Sequence, residues 1–184
     1  MGQIKIKQYT MKNGEKITLT TALPEYAERV LNFNKDIISE APYLVTTREE
    51  FKISIEQEEK FLQQVFEDNG KLAIIAEFQG EVIGFLDFHN GHRNRIKHQG
   101  SFGMSVSKQF RNQGIGSALL TELLNWAEQE ASIEKVCLEV VSINKSAIHM
   151  YENFGFIVEG KKLKAIKNEN DTYYDLLLMA YFTQ

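Results

Sequence analysis

Two alternating runs of apolar and polar residues flank Lys12-Asn13-Gly14-Glu15, with Ile4 and Ile6 already set between lysines. Asn-Gly between alternating runs is a strong hairpin signal, so the chain is expected to open with a hairpin or extended pair. Pro24 suits the first position of a helix, and Ala27, Val30, Leu31, Asn34, Ile37 and Ile38 follow at helical spacing, ending before Ala41-Pro42. Ser54-Ile55-Glu56-Gln57 is a capping-box pattern. Phe61, Leu62, Val65 and Phe66 supply the stripe of that second helix, and Gly70 stops it. Its acidic residues Glu56, Glu58 and Glu59, with Glu49 and Glu50 just before it, read as a solvated face that also has the sign to attract a cationic amine.

Residues 72–78 and 82–88 are strand-like runs split by Gln79-Gly80-Glu81, and residues 90–97 form a polar loop rich in His and Arg. Phe102, Met104 and Val106 then alternate with small polar residues, as in a half-buried strand. A helical pattern beginning at Ala118 follows, its wide apolar stripe made of Ile115, Leu119, Leu123 and Ala127 with Ala118, Leu120, Leu124 and Trp126. Residues 135–141 read as a buried strand, after which Asn144 caps a helix carrying Ala147, Ile148, Tyr151 and Phe154 and ending at Gly155. Two last strands, 157–166 and 173–182, surround the turn Asn168-Glu169-Asn170-Asp171. This order predicts an α/β (α+β) protein, a mixed sheet with helices on both faces.

At 184 residues, with 43% hydrophobic and 25% charged, residues 1–184 are expected to form one domain with a substantial core. The polar start does not resemble a signal peptide, and the longest apolar run, 176–182, is far short of the roughly 20 residues that span a bilayer. A soluble, cytoplasmic protein is expected. A net charge of −4 gives no general attraction to nucleic acid or to an anionic membrane, so neither is expected as a partner. A single cysteine, Cys137, excludes an internal disulfide and reads as a small buried hydrophobe.

The candidate chemistry lies between the strand at 102–106 and the helix after it. Arg111-Asn112-Gln113-Gly114-Ile115-Gly116-Ser117 leads into a helix N-terminus, where free N–H groups and the macrodipole favour an anion. Gly114 and Gly116 remove side chains that would hold a phosphate away, and Arg111 adds a positive donor fork. A P-loop needs Lys-Ser/Thr after its last glycine, and here Gly116 precedes Ser117-Ala118; the dinucleotide fingerprint lacks its third glycine. A nucleotide-binding protein is therefore disfavoured.

Arg111-x-x-Gly114-x-Gly116 resembles the acyl-CoA loop of the GCN5-related N-acetyltransferase (GNAT) superfamily. Its second signature, a strand followed by Asn-x-x-Ala and Tyr-x-x-x-Gly-Phe, is matched by Asn144, Ala147, Tyr151, Gly155 and Phe156. The resemblance implies a central mixed, mostly antiparallel sheet of about seven strands, splayed to form an acyl-CoA cleft. It also implies acetyl-CoA as cosubstrate and direct transfer of its acetyl group to a primary amine of a small molecule or of a peptide or protein N-terminus, both substrates bound together. Met104, Ser105 and Val106 would pair with the pantetheine arm from one side, and 139–141 from the other. The pyrophosphate would take N–H groups of Asn112, Gln113, Gly114, Ile115, Gly116 and Ser117, with Arg111 or Lys108 nearby, and Asn144 would bind the pantetheine or the substrate side. Tyr151 would protonate the departing thiolate.

Glu139 is ranked first as base, for a spacing to Tyr151 shared with the branch that acetylates protein N-termini; Asp87 and His89 are the other candidates, besides a water. Each residue has a plainer reading: Asn144 as an N-cap, Tyr151 as core, Glu139 as a polar strand face. His89, His92 and His98 lie close in sequence, yet Arg93, Arg95 and Lys97 among them would repel a cation, and no metal is expected. The alternative function is a non-catalytic acyl-CoA-binding sensor. The C-terminal Asn168-x-Asn170, Tyr174-Asp175 and Met179 are similar to bacterial members acting on amino acids, ribosomal-protein termini, polyamines or antibiotics, which leaves the acceptor open. A homodimer is the commonest assembly for such chains, though the sequence does not fix one.

Overall fold

The computed structural model describes residues 2–40, 44–168 and 170–183. The opening Asn-Gly turn joins β1 (Lys7–Thr10) to β2 (Lys16–Thr21), antiparallel and in register from Lys7 opposite Leu19 to Thr10 opposite Lys16. Pro24–Tyr26 forms a 3₁₀ turn that feeds α1 (Ala27–Glu40). The end expected at Ala41-Pro42 and Glu169 of the last turn lie outside the described residues. α2 (Ile55–Glu67) begins with the complete capping box: Gln57 N–H donates to Ser54 Oγ at 3.3 Å and Ser54 N–H to Gln57 Oε1 at 2.8 Å.

β3 (Lys71–Phe78) and β4 (Glu81–Asn90) form the second hairpin, and β5 (Gln99–Val106) pairs antiparallel with β4. α3 (Ile115–Gln129), β6 (Lys135–Val141), α4 (Lys145–Asn153), β7 (Ile157–Lys167) and β8 (Tyr173–Phe182) complete the chain. The sheet has eight strands in the order β1-β2-β3-β4-β5-β6-β8-β7, one more than the roughly seven expected, because both arms of the first hairpin join it. The only parallel neighbours in that sheet are β5 and β6, and their pairing covers only Gln99, Gly100 and Ser101 opposite Lys135, Val136 and Cys137. Beyond Ser101 the two strands part. β6 goes on pairing with β8 as far as Val141 opposite Leu176, so its other edge is left to the gap.

The central strand β3 is buried on both faces. Leu72, Ile74 and Ala76 point to a core shared with α3 and α4, while Ala73 and Ile75 point to one shared with α1 and α2. Two helices thus cover each face, and the split between β5 and β6 opens toward both layers. α3 starts at Ile115, three residues before Ala118, where the helical pattern is expected to begin, because Gly114 (φ 91°) serves as N-cap and Ile115, first residue of the stripe, lies in the first turn with Gly116 and Ser117. Cys137 is half-buried, where full burial is expected from its neighbours, because it lies on the β6 face that α1 and α2 do not reach.

Among the described residues three polar or charged ones are buried: Thr21, Glu58 and Glu122. Thr21 Oγ1 accepts from Ile4 N–H at 2.9 Å. Glu122, on α3, accepts from Lys7 Nζ at 2.9 Å and from Tyr9 Oη at 2.7 Å, which ties β1 to the helix. Burial and that carboxylate push the Tyr9 phenol up to about 12.

Candidate active site

Beside the gap between β5 and β6 lies a cleft of about 570 Å³ walled by β5, the start of α3 and α4; residues 139–141 of β6, expected on its other side, do not line it. Met104, Ser105 and Val106 from β5 line it, then Arg111, Asn112, Gly114, Ile115, Gly116 and Ser117 of the loop and first turn, and Asn144 at the start of α4. Gln113 is turned away; its Oε1 accepts from Asn13 N–H at 3.2 Å and its carbonyl from Lys12 N–H at 3.2 Å, so it braces the loop against the first hairpin. That bracing brings Lys12 to the cleft, a residue with no local sign of a role beyond its hairpin turn. Lys108 is not among the lining residues.

The loop is held from inside. Arg111 Nε donates to the Val106 carbonyl at 3.1 Å, which folds the exposed guanidinium over the end of β5. Gly114 needs its left-handed φ to turn the chain into α3, and a Cβ there would meet nothing within 4 Å, so its requirement is conformational. The N–H groups of Ile115, Gly116 and Ser117 have no acceptor within the helix by its geometry and open on the cleft. Asn144 Oδ1 caps α4 by accepting from Ala147 N–H at 3.3 Å. Capping and cleft lining are thus both met by one side chain.

Tyr151 lies deeper than its neighbours Ala147 and Met150, which line the cleft. It is 8% exposed, with its ring 6.0 Å from Phe102 and 5.8 Å from Phe156. Phe102 is the first β5 residue past the pairing with β6, and the Tyr151 ring packs against it, while Tyr151 itself lines neither cavity. The turn that closes α4 keeps it there, with Phe156 N–H donating to the Tyr151 carbonyl at 3.0 Å. Burial pushes its phenol up to about 12.

A second cavity, of about 720 Å³, lies between α1, α2 and the sheet. Its walls are apolar, with Ile37, Ile38, Leu44, Val45, Phe61 and Phe85; Glu50, Lys52, Glu58 and Asp87 supply its charges. It shares Ile37, Leu44, Met104 and Ser105 with the cleft, so the two cavities meet at the middle of the splayed strand. His89 Nε2 lies 2.8 Å from Asp87 Oδ2, its ring 5.6 Å from that of Phe61. Among the described residues no three His, Cys, Asp or Glu side chains converge as metal ligands.

Two acidic residues stand elsewhere than the sequence implies. Glu139 lines neither cavity; it is 45% exposed and its carboxylate is taken by Lys162 of the neighbouring β7. Glu58, read as part of a solvated helix face, is only 5% exposed and lines the second cavity. Desolvation, with the charge of Asp87 second, pushes its carboxyl up to about 7. The sign of its burial was legible: Glu58 falls four positions before Leu62 and seven before Val65, both buried, and so on the apolar stripe of α2.

A mixed sheet split beside a glycine-led helix N-terminus, with a second cavity opening onto the same strand, joins an anion-favouring cleft to an apolar chamber. Residues 35–156 match the acetyltransferase (GNAT) family, and the chain belongs to it. It is 32% identical over 104 residues to an Escherichia coli L-amino acid N-acetyltransferase, covering 55% of this chain and 64% of that protein. It is also 32% identical over 105 residues to N-alpha-acetyltransferase 50 of Danio rerio, covering 56% of this chain and 62% of that one. The matches therefore span less than two thirds of those relatives. A GNAT-family acetyltransferase structure from Streptococcus pneumoniae superposes with a TM-score of 0.88 at 24% identity, covering 90% of this chain and 99% of that one, which shows the shared fold.

Proposed function

We propose that the protein transfers the acetyl group of acetyl-CoA directly to a primary amine, with both substrates bound together. The observation that carries this is the meeting of the cleft and the second cavity at Met104 and Ser105. A carrier in one and an amine in the other need no covalent relay on the protein. The chain suits acetyl-CoA on its own features: free strand edges past Ser101, and a helix N-terminus opening on the same cleft. In this reading Met104, Ser105 and Val106 hold the pantetheine arm with Asn144. Asn112, Gly114, Ile115, Gly116 and Ser117 hold the pyrophosphate, with the charges of Arg111 and Lys12, and Gln113 fixes the loop.

The cosubstrate supplies an acetyl thioester when bound. A backbone N–H near Val106 polarises its carbonyl as negative charge grows there. Tyr151 keeps its proton across the working pH range, because burial holds its phenol near 12, and it is assigned to deliver that proton to the departing sulfur. The proton acceptor for the amine belongs in the second cavity, since Glu139 is exposed and engaged by Lys162.

The test is Tyr151→Phe. Turnover of acetyl-CoA with an accepted amine should fall about 10²-fold or more while acetyl-CoA affinity changes little. Undiminished turnover would remove Tyr151 from the reaction. Acetyl-CoA binding without turnover on any amine would favour the non-catalytic acyl-CoA sensor instead.

A further inference from the structure

Glu58 is the anomaly of the interior. Thr21 and Glu122 are buried with hydrogen-bond partners, whereas the equally buried Glu58 carboxylate has no hydrogen bond or ion pair with any described residue. A buried carboxylate left unmatched costs several kcal/mol in general, so folding alone gives no reason to keep it. Among the described residues no buried side-chain oxygen is both sealed from solvent and unpartnered, so the Glu58 carboxylate reaches the cavity that it lines. The neighbouring acids are engaged: Asp87 with His89 at 2.8 Å, and Glu50 with the Thr47 backbone N–H and hydroxyl, both at 2.9 Å. Lys52 also lines this cavity but is exposed and forms no ion pair with Glu58.

We propose that Glu58 receives the ammonium group of the acceptor and takes its proton, and that the acceptor is an α-amine carrying an apolar side chain, as in an amino acid or a peptide N-terminus. This rests on the transferase reading above. One unmatched carboxylate in an apolar chamber fits one positive charge attached to an apolar body. A polyamine carries further charges, for which the chamber offers only Glu50 and Asp87, already hydrogen-bonded to Thr47 and paired with His89. Ile38, Phe61 and Phe85 give the side chain its apolar surface, and Lys52 stands at the edge for a carboxylate when the acceptor is a free amino acid.

The protons balance. Glu58 accepts one from the ammonium and releases it to solvent. The freed nitrogen bonds to the acetyl carbon as the carbon–sulfur bond breaks; the second proton leaves the nitrogen as the amide forms. Tyr151 gives its own proton to the sulfur and is reprotonated, for a net release of one proton to water. A carboxylate that ionises near neutrality is a better match for an ammonium than one of ordinary acidity.

The experiment compares wild type, Glu58→Gln and Glu58→Asp, following thiol release with L-leucine, leucinamide, a leucine-led dipeptide and spermidine. Acetyl-CoA binding is measured on the same samples by calorimetry, and leucinamide binding to the protein with and without CoA by ligand-observed NMR. Wild type should prefer a leucine acceptor over spermidine. The free acid against the amide and dipeptide separates amino acid from peptide end. Glu58→Gln should lower kcat/KM for that acceptor about 10²-fold or more, abolish the limb of its pH profile near neutrality and lose leucinamide binding, with acetyl-CoA affinity unchanged. Glu58→Asp should recover part of the loss. Preference for spermidine, or an unchanged kcat/KM in Glu58→Gln, would overturn the assignment and leave the transferase reading standing. Failure of acetyl-CoA to bind would defeat the transferase reading itself, while the NMR titration still decides whether Glu58 holds an ammonium.

Discussion

A carboxyl group buried without a partner makes the folded state hold its proton more tightly than the unfolded chain does. Glu58 rises from an ordinary 4.5 to about 7, so between those values the folded protein binds the extra proton. The sign follows from linkage: stability is highest below the lower value and falls as pH rises through the upper one. The loss is expected to be at most about 3 kcal/mol, at 1.36 kcal/mol for each tenfold change in proton affinity, and smaller as water in the cavity screens the carboxylate. Glu58→Gln does not titrate, so it should melt increasingly above wild type as pH goes from about 5 to about 8. A difference independent of pH would show that the carboxyl ionises in the folded state as it does in the unfolded one. The same missing partner that weakens the fold readies the site for a cation.

At the scale of elements, α2 sets the position of Glu58, and its N-terminus sets the position of α2. Ser54→Ala removes the hydroxyl that accepts from Gln57 N–H and half of the capping box, at a cost of about 0.5–2 kcal/mol. Because Glu58 stands one turn beyond that cap, the variant should raise KM for the amine more than KM for acetyl-CoA. Equal changes in both would mean that α2 moves as one body with the cleft. This helix also marks how far the sequence could be read. Its capping box and Leu62 and Val65 stripe are local patterns, and they appear in the fold as written. Strand 135–141 and the Asn144 cap were equally legible, because both rest on neighbours in sequence. Glu58 was harder, since a glutamate among Glu56 and Glu59 looks solvated until its place on the stripe is given more weight than its charge. Lys12 could not be found at all: only the bonds of Gln113 to the first hairpin bring it to the cleft. The pattern of α3 reads from Ala118 because Gly116 and Ser117 carry no apolar signal; Ile115 was on the stripe, and the left-handed turn at Gly114 begins the helix there.

The whole molecule is two half-layers sharing one split sheet. The core with α3 and α4 closes the cleft side, the core with α1 and α2 closes the chamber side, and β5 serves both. Among the described residues no helix is long and apolar enough to cross a membrane. Glu139, legible as a candidate from its spacing alone, shows why spacing does not fix a role: the antiparallel β7–β8 pair brings Lys162 against it, a contact fixed by residues more than 20 positions away. The central claim is that cleft and chamber are filled together before transfer. It is tested most directly by initial velocities of thiol release, measured while acetyl-CoA and an accepted amine are varied against each other. Lines that intersect in the double-reciprocal plot are predicted, the signature of a complex holding both substrates; parallel lines, which require an acetylated protein intermediate, would contradict it.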